Sequence, residues 1–149
     1  MKRLLFFLSM IIPLSFCSSQ RPSGPIVSYH YTYNTCVMYP IYEYEVVLNA
    51  SGKQTLNYSR NDGVMHPVPL EEDVLGKIDA IVKEYKLYRL KEHYMPPFDV
   101  LDGWSWNVQI GYQTESIYSG GSNARPPKKL QEGLEEINAY LKSFIPEED

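Results

Sequence analysis

The sequence predicts an α+β domain: a mostly antiparallel sheet of about five strands, packed by two amphipathic helices in two layers. Two observations support this fold class. Short segments that alternate apolar and polar residues recur along the chain, and two segments carry apolar residues at helical spacing. Each helix must bury its apolar stripe against another element, and the sheet offers that surface. We see no internal repeat, so we expect residues 26–149 to form one domain.

Five segments show the two-residue alternation of half-buried strands and are bounded by turn residues. They are Ile26–Tyr33, Tyr42–Asn49, Gln54–Arg60, Trp104–Tyr112 and Ser116–Ser119. The fourth alternates without a break, with Trp104, Trp106 and Val108 on one side, which predicts a central strand facing the core.

From Pro69 the pattern changes to helical spacing. The first predicted stripe consists of Val74, Ile78, Ile81, Val82 and Tyr85, and the second of Leu130, Leu134, Ile137, Leu141 and Phe144. The acidic residues 71–73 suit the N-terminal dipole of the first helix. Residues 89–103 form a long connection that contains Pro96 and Pro97, and connections of this length are often functional.

The N-terminus has the pattern of an export signal. Lys2 and Arg3 precede the apolar stretch Leu4–Ile12. This stretch is shorter than the roughly 20 residues that a membrane-spanning helix needs. We therefore expect residues 1–16 to be a signal peptide and residues 17–25 to be a polar tether.

The end of this signal, Leu14-Ser15-Phe16-Cys17-Ser18-Ser19, resembles the lipobox of bacterial lipoproteins, in which the cysteine is acylated. It differs at Phe16, where a small residue is usual, and ordinary cleavage after Ser19 is the alternative. The resemblance implies an exported protein of the cell envelope, anchored by a lipid on Cys17 to a membrane at the periplasmic or cell surface.

Charge and cysteine content restrict the partners. The chain has 14 Lys and Arg residues, two of them in the signal peptide, and 18 Asp and Glu residues, so the mature net charge is −6. Nucleic-acid binding calls for a basic surface and is not expected. If Cys17 is acylated, Cys36 has no disulfide partner, and we expect it to be a small packed side chain.

No catalytic constellation stands out. His30, His66 and His93 lie in separate elements without metal-ligand spacing, so neither a metal site nor a cofactor is expected. Glu43 and Glu45 share the polar side of one strand, which suits a solvated face better than a glycosidase pair across a cleft. Enzyme activity is therefore not the leading expectation.

The segment Gly120–Lys129 allows two interpretations. A glycine-rich loop that enters a helix leaves N–H groups free to bind an anion, with Arg125 and Lys128 nearby. In the simpler interpretation, the glycines permit a tight turn and Ser122 or Asn123 satisfies the helix start. Its spacing differs from that of a nucleotide-binding P-loop.

Two motifs in the last third of the chain carry a second resemblance. The sequence Asp102-Gly103-x-x-Trp106, followed after a hairpin by Gly121-Ser122-Asn123-x-x-Pro126, is similar to uncharacterised exported domains of bacterial lipoproteins, particularly from Bacteroides-like organisms. The resemblance implies export and an α+β domain, without an activity. It also suggests that Asp102 and Asn123 fix the geometry between strand and helix. The candidate binding or structural residues are Asp102, Gly103, Trp104, Ser122, Asn123 and Arg125.

Tyrosine is over-represented, with 13 residues, six of them between Tyr29 and Tyr44. Most should pack within the sheet, but amphipathic rings at a surface favour recognition of protein or sugar. We therefore expect a non-catalytic protein- or glycan-binding module that uses the 89–103 connection, the 120–127 loop or the tyrosine-rich sheet face. A glycan or cell-wall hydrolase and an enzyme inhibitor are the alternatives.

Overall fold

A computed structural model describes residues 21–35, 40–98, 100 and 103–147. The predicted signal peptide, Cys17, Cys36 and Asp102 lie outside this range. In chain order the described elements are β1 (Ile26–Asn34), β2 (Tyr42–Leu48), β3 (Gln54–Ser59), β4 (His66–Leu70), α1 (Val74–Tyr85), a 3₁₀ turn (Leu87–Arg89), β5 (His93–Tyr94), β6 (Ser105–Tyr112), β7 (Ser116–Ser122) and α2 (Lys128–Lys142).

The strands form one sheet in the order β4-β3-β2-β1-β6-β7-β5. All neighbours are antiparallel except β5 and β7. The α+β fold with a mostly antiparallel sheet packed by helices is therefore confirmed. The predicted count of about five strands is wrong, because the described residues form seven.

The two additional strands have weak sequence signals. Pro67 and Pro69 lie in β4, and proline is tolerated in a sheet mainly at an edge, which is where β4 lies. The helical pattern expected from Pro69 begins at Val74 instead. β5 has two residues and lies within the predicted 89–103 connection. β5 is a strand because it pairs with β7, which is distant in the sequence. A segment of two residues is too short to show an alternating pattern.

Both helices cover the same face of the sheet. The core joins the sheet residues Tyr29, Val46, Leu56 and Ile110, all fully buried, to the apolar stripes of the helices. In α1 the buried residues include Val74, Ile78, Ile81 and Val82, and in α2 they include Leu134, Ile137 and Leu141, as the spacing predicts. The opposite face of the sheet carries mostly polar side chains.

Local contacts fix the helices. Asp73 is the N-cap of α1, and its carboxylate accepts the Gly76 N–H at 3.0 Å. Between the helices, the Tyr85 hydroxyl donates to Glu136 at 2.7 Å, and this bond raises the pKa of Tyr85 to about 12. None of the helices formed by the described residues is long and apolar enough to span a membrane.

The N-terminal segment enters the sheet at one end. Arg21 forms an ion pair with Asp79 of α1, and Ile26 pairs with Tyr112. At the other end of β1, Asn34 pairs with Ser105. Nine residues of strand separate the two ends by roughly 26 Å, at about 3.3 Å per residue. We call the end at Asn34 the distal end of the sheet.

Candidate functional site

A row of stacked rings crosses the helix-covered face near the distal end. The ring centroids of Tyr44 and Tyr42 are 5.6 Å apart, those of Tyr42 and Tyr33 5.1 Å, and those of Tyr33 and Trp104 6.2 Å, with interplanar angles of 28°, 10° and 23°. Strand register places Tyr33 beside Tyr42, and Tyr44 follows two residues later on the same strand as Tyr42. Trp104 lies two residues before Trp106, the partner of Tyr33 on β6. Aromatic neighbours across strands stabilise the sheet and hold one another in place.

Arg125 continues the row beyond the last ring. Its guanidinium carbon lies 5.3 Å from the centroid of the Trp104 ring, within the range of a cation–π contact. Arg125 Nη1 also lies 3.6 Å from Glu135 Oε1 of α2. Arg125 therefore connects the ring row to the helix, and the nearby carboxylate balances its charge.

The facing wall comes from one side of α2. Gln131, Leu134, Glu135 and Asn138 face Tyr31, Tyr33, Tyr42, Trp104 and Trp106 across a cavity of about 200 Å³, which Arg125 and Pro126 border. Gln131 donates to Glu135 at 2.6 Å, and the Tyr29 hydroxyl donates to Asn138 Oδ1 at 3.1 Å. These bonds orient the polar side chains. We call this cavity the aromatic pocket.

Tyr31 and Tyr42 of the pocket, and Tyr44 beside it, resist loss of their protons. Burial is the main cause that raises the pKa of Tyr31, Tyr42 and Tyr44 above the usual value of about 10. Tyr31 and Tyr42 also share a hydrogen bond, and the positive charge of Arg125 opposes part of the shift in both. The phenols are therefore neutral groups that can donate and accept hydrogen bonds.

Several residues of the two motifs that resemble exported lipoprotein domains build or support this pocket. Trp104 N–H donates to Asn123 Oδ1 at 3.0 Å, and Asn123 N–H donates to Trp104 O at 2.9 Å. Asn123 has a φ of 50°, a conformation that asparagine tolerates better than most residues. Gly103 lies against it, since a Cβ added there would be 2.0 Å from Asn123 Oδ1. Asn123 thus fixes Trp104, while Ser122 pairs with Ser105 in the sheet.

The structure does not support the interpretation of the glycine-rich segment as an anion-binding loop. Gly120 and Gly121 lie in β7, where they pair with Asn107 and Trp106. Gly120 N–H donates to Glu92 O at 3.1 Å. Their backbone is part of the sheet rather than of an open loop or the expected turn.

The histidines and glutamates considered in the sequence analysis lie on both faces of the sheet: His30, Glu43 and Glu45 are on the polar face, whereas His66 is in register with Tyr58 on the helix-covered face. His30 Nε2 is 2.7 Å from Glu43 Oε1, and Glu45 accepts from Asn57 at 2.9 Å. His66 contacts Asp62 at 3.2 Å, and hydrogen bonds, the first from Val64 N–H, lower the pKa of Asp62 to about 2. Within the described ranges, no three His, Cys, Asp or Glu side chains are close enough together to hold a metal ion.

A second group of carboxylates, Glu71, Glu72 and Asp73, borders a shallow cavity of about 500 Å³ near β3. Asp73 caps α1 and accepts from Gln54 at 2.8 Å, and this bond is the main cause that lowers the pKa of Asp73. Glu72 accepts from Tyr140 at 3.2 Å. An ionised capping carboxylate is poorly suited to act as a general acid.

The sequence analysis missed the helix wall of the pocket. Gln131, Glu135 and Asn138 follow one another at spacings of four and three, beside the apolar stripe of α2, and this polar stripe is the signal that could have indicated a second functional face. Of the surfaces expected to bind, the tyrosine-rich sheet face and the 120–127 loop meet in the pocket. No protein-family model matches the sequence, and no curated protein matches it.

Proposed function

We propose that this protein is an exported, lipid-anchored binding module that recognises a neutral glycan through the aromatic pocket without cleaving it. The observation that carries the proposal is the arrangement of the pocket itself. A preorganised row of rings faces oriented hydrogen-bonding side chains across a cavity open to solvent.

The chemistry of the lining suits a hydroxylated ligand. Gln131, Asn138 and the phenols of Tyr31 and Tyr42 each donate and accept hydrogen bonds, as sugar hydroxyls do. The C–H surfaces of a sugar ring can pack against the rings and Pro126. Small-molecule sites commonly combine apolar walls with a few placed polar groups in this way.

The volume and charge of the pocket restrict the range of ligands further. At about 200 Å³ the pocket is smaller than the roughly 300–1,000 Å³ of sites for drug-sized ligands, so it suits one ring at a time of a longer chain. Arg125 and Glu135 compensate each other's charge, which favours a neutral sugar over a strongly anionic one.

The position of the pocket fits the predicted anchor. The described chain begins at the end of the sheet where Ile26 pairs with Tyr112, whereas Tyr33, Tyr42 and Trp104 lie towards the distal end. Arg21 is held on the domain by Asp79, so a tether formed by the residues before Arg21 would present the pocket away from the membrane surface.

Binding is favoured over hydrolysis. A glycosidase uses two carboxyl groups about 5–10 Å apart across the scissile bond. Among the described residues that line the pocket, Glu135 supplies the one carboxylate, and Arg125 and Gln131 both contact it.

The test is a glycan array probed with the purified mature protein, followed by the same array with Trp104→Ala. We expect Trp104→Ala to weaken binding at least tenfold, because it removes the end of the ring row and the support for Arg125. Phe98→Ala is the matched control, since it also deletes an aromatic ring, one that is 68% exposed and does not line the pocket.

Equal binding by wild type and Trp104→Ala, or binding to no glycan by a folded protein, would refute glycan recognition by this pocket. If Trp104→Ala instead abolished crosslinking to one particular protein in cells, the pocket would be a protein-binding site.

The anchor is tested separately by mass spectrometry of the mature N-terminus. We expect an acylated Cys17 and loss of the protein from the membrane fraction in Cys17→Ala. An unmodified N-terminus immediately after Ser19 would contradict lipidation and support ordinary signal cleavage.

A further inference from the structure

The polar face of the sheet contains a depression beside Gly120. Strand register aligns Thr32, Asn107, Gly120 and His93 in one row across four strands. Side chains in such a row point to the same face. Gly120 has none, and the Asn107 amide leans over it, since a Cβ added at Gly120 would lie 2.6 Å from Asn107 Oδ1. Asn107, Gly120 and His93 together line one side of the depression.

Aromatic and amide groups border this gap. The neighbouring row consists of His30, Gln109 and Tyr118. These side chains, with Asn107, His93 and Glu92, line a cavity of about 210 Å³ over Gly120, which we call the glycine depression. Its volume is close to the 200 Å³ of the aromatic pocket.

The border is held in place by its own hydrogen bonds. Gln109 donates to the Tyr118 hydroxyl at 3.1 Å, Asn107 donates to Thr32 at 3.4 Å, and His30 contacts Glu43 at 2.7 Å. Tyr118 is nevertheless 59% exposed. A ring fixed in orientation yet open to solvent offers a packing surface at low entropic cost.

The local charge selects the ligand. Glu92 lines the depression, and Glu43 lies next to His30, so carboxylates disfavour a phosphate or another anion. The amides of Asn107 and Gln109 and the imidazoles of His30 and His93 can donate and accept hydrogen bonds with hydroxyl groups.

We propose that the glycine depression is a second binding site for a neutral sugar, so that one chain of this protein binds two glycan segments on opposite faces of its sheet. The inference rests on the proposed function of the aromatic pocket. Trp106 lines that pocket while the next residue, Asn107, lines the depression, so the sites lie back to back across β6. Separate glycan chains can then be bridged, which increases avidity without new contacts.

The experiment counts sugars per chain by equilibrium dialysis of the full mature protein against labelled tetrasaccharides of glucose, mannose, galactose and N-acetylglucosamine, tested singly. We expect two bound per chain for wild type with at least one of the four. Tyr118→Ala and Trp104→Ala should each bind one, and the double variant none. Phe98→Ala should still bind two.

The outcomes separate the two proposals. If wild type binds one sugar and Tyr118→Ala does not change this number, the second site is refuted and the aromatic pocket stands. If Tyr118→Ala removes all binding while Trp104→Ala removes none, the proposed pocket function is refuted and the depression stands alone. Wild-type protein that is folded but binds none of the four sugars overturns both. Tyr118 and Phe98 are largely exposed, so their substitution should not affect folding.

Discussion

The two cavities lie on opposite faces of the same strand and are built in different ways. The aromatic pocket is bounded by large side chains of the sheet and α2 that hold one another, so it exists only when the helix is packed. The glycine depression needs only strand register, since side chains on the polar face of the sheet and Glu92 line it around Gly120. Changes near the pocket should therefore alter both stability and binding, whereas changes at the depression should alter binding with little loss of stability.

Adjacent glycines allow this comparison to be tested. A Cβ added at Gly121 would lie 2.3 Å from Ala124 O and 2.4 Å from Trp106 Nε1, and Trp106 Nε1 donates a hydrogen bond to Ala124 O at 2.9 Å. Gly121→Ala must therefore displace either the backbone at Ala124 or the indole of Trp106. We expect it to lower the free energy of unfolding by about 2–4 kcal/mol, from overpacking and the lost bond.

The matched variant is Gly120→Ala on the other face. Its Cβ would lie 2.6 Å from Asn107 Oδ1, at the end of a side chain that can rotate, and 3.0 Å from Trp106 O. We expect the free energy of unfolding to fall by about 1 kcal/mol or less, together with weaker binding at the depression. Urea denaturation measures both variants, and equal losses would mean that the two faces do not differ as described.

The comparison also explains what the sequence could reveal. Alternation predicted the five longer strands, and helical spacing identified the buried stripes, because those patterns are local. Pairing between β4 and β3, or between β5 and β7, depends on residues far along the chain. Likewise, Trp104 and Arg125 were recognisable as candidates, but Gln131 and Asn138 became part of a site only when α2 packed on the tyrosine face.

The glycine depression is the opposite case. Gly120 lies at its base, and the sequence analysis assigned this glycine to a turn. The side chains around Gly120 come from four strands. The side chains around Gly120 can be identified only once strand register is known, since a shift of one residue would turn each side chain to the other face. Tyr118 carried no signal beyond its place in a short strand.

An effect between those of the two glycine variants is expected at Asn123, which supports the pocket but does not line it. Asn123→Gly keeps the positive φ and the backbone bond to Trp104 O but removes the acceptor for Trp104 N–H. We expect a loss of about 1 kcal/mol in stability and weaker binding at the pocket only. Asn123→Ala should cost about 1–2 kcal/mol more, because alanine is strained at this φ. If both variants equalled wild type in urea denaturation, the proposed support of Trp104 would be wrong.

The smallest effect at neutral pH, and a further distinction between the faces, concerns three phenols in or beside the pocket. Burial is the main cause that raises the pKa of Tyr31, Tyr42 and Tyr44 in the folded state. The folded state then holds protons that the unfolded state releases above about pH 10, the ordinary tyrosine value.

This stabilising contribution is complete below about pH 10 and is lost as the pH rises from there through the raised pKa values. Tyr31→Phe should therefore show a shallower decline in unfolding free energy above pH 10 than wild type, with a difference of at most about 1.4 kcal/mol per pH unit for the one proton removed. Urea denaturation at pH 8 to 12 measures the slope. Because lysines titrate alike in both proteins, identical slopes would show that Tyr31 does not resist ionisation, and that this wall of the pocket is wetter than its packing implies.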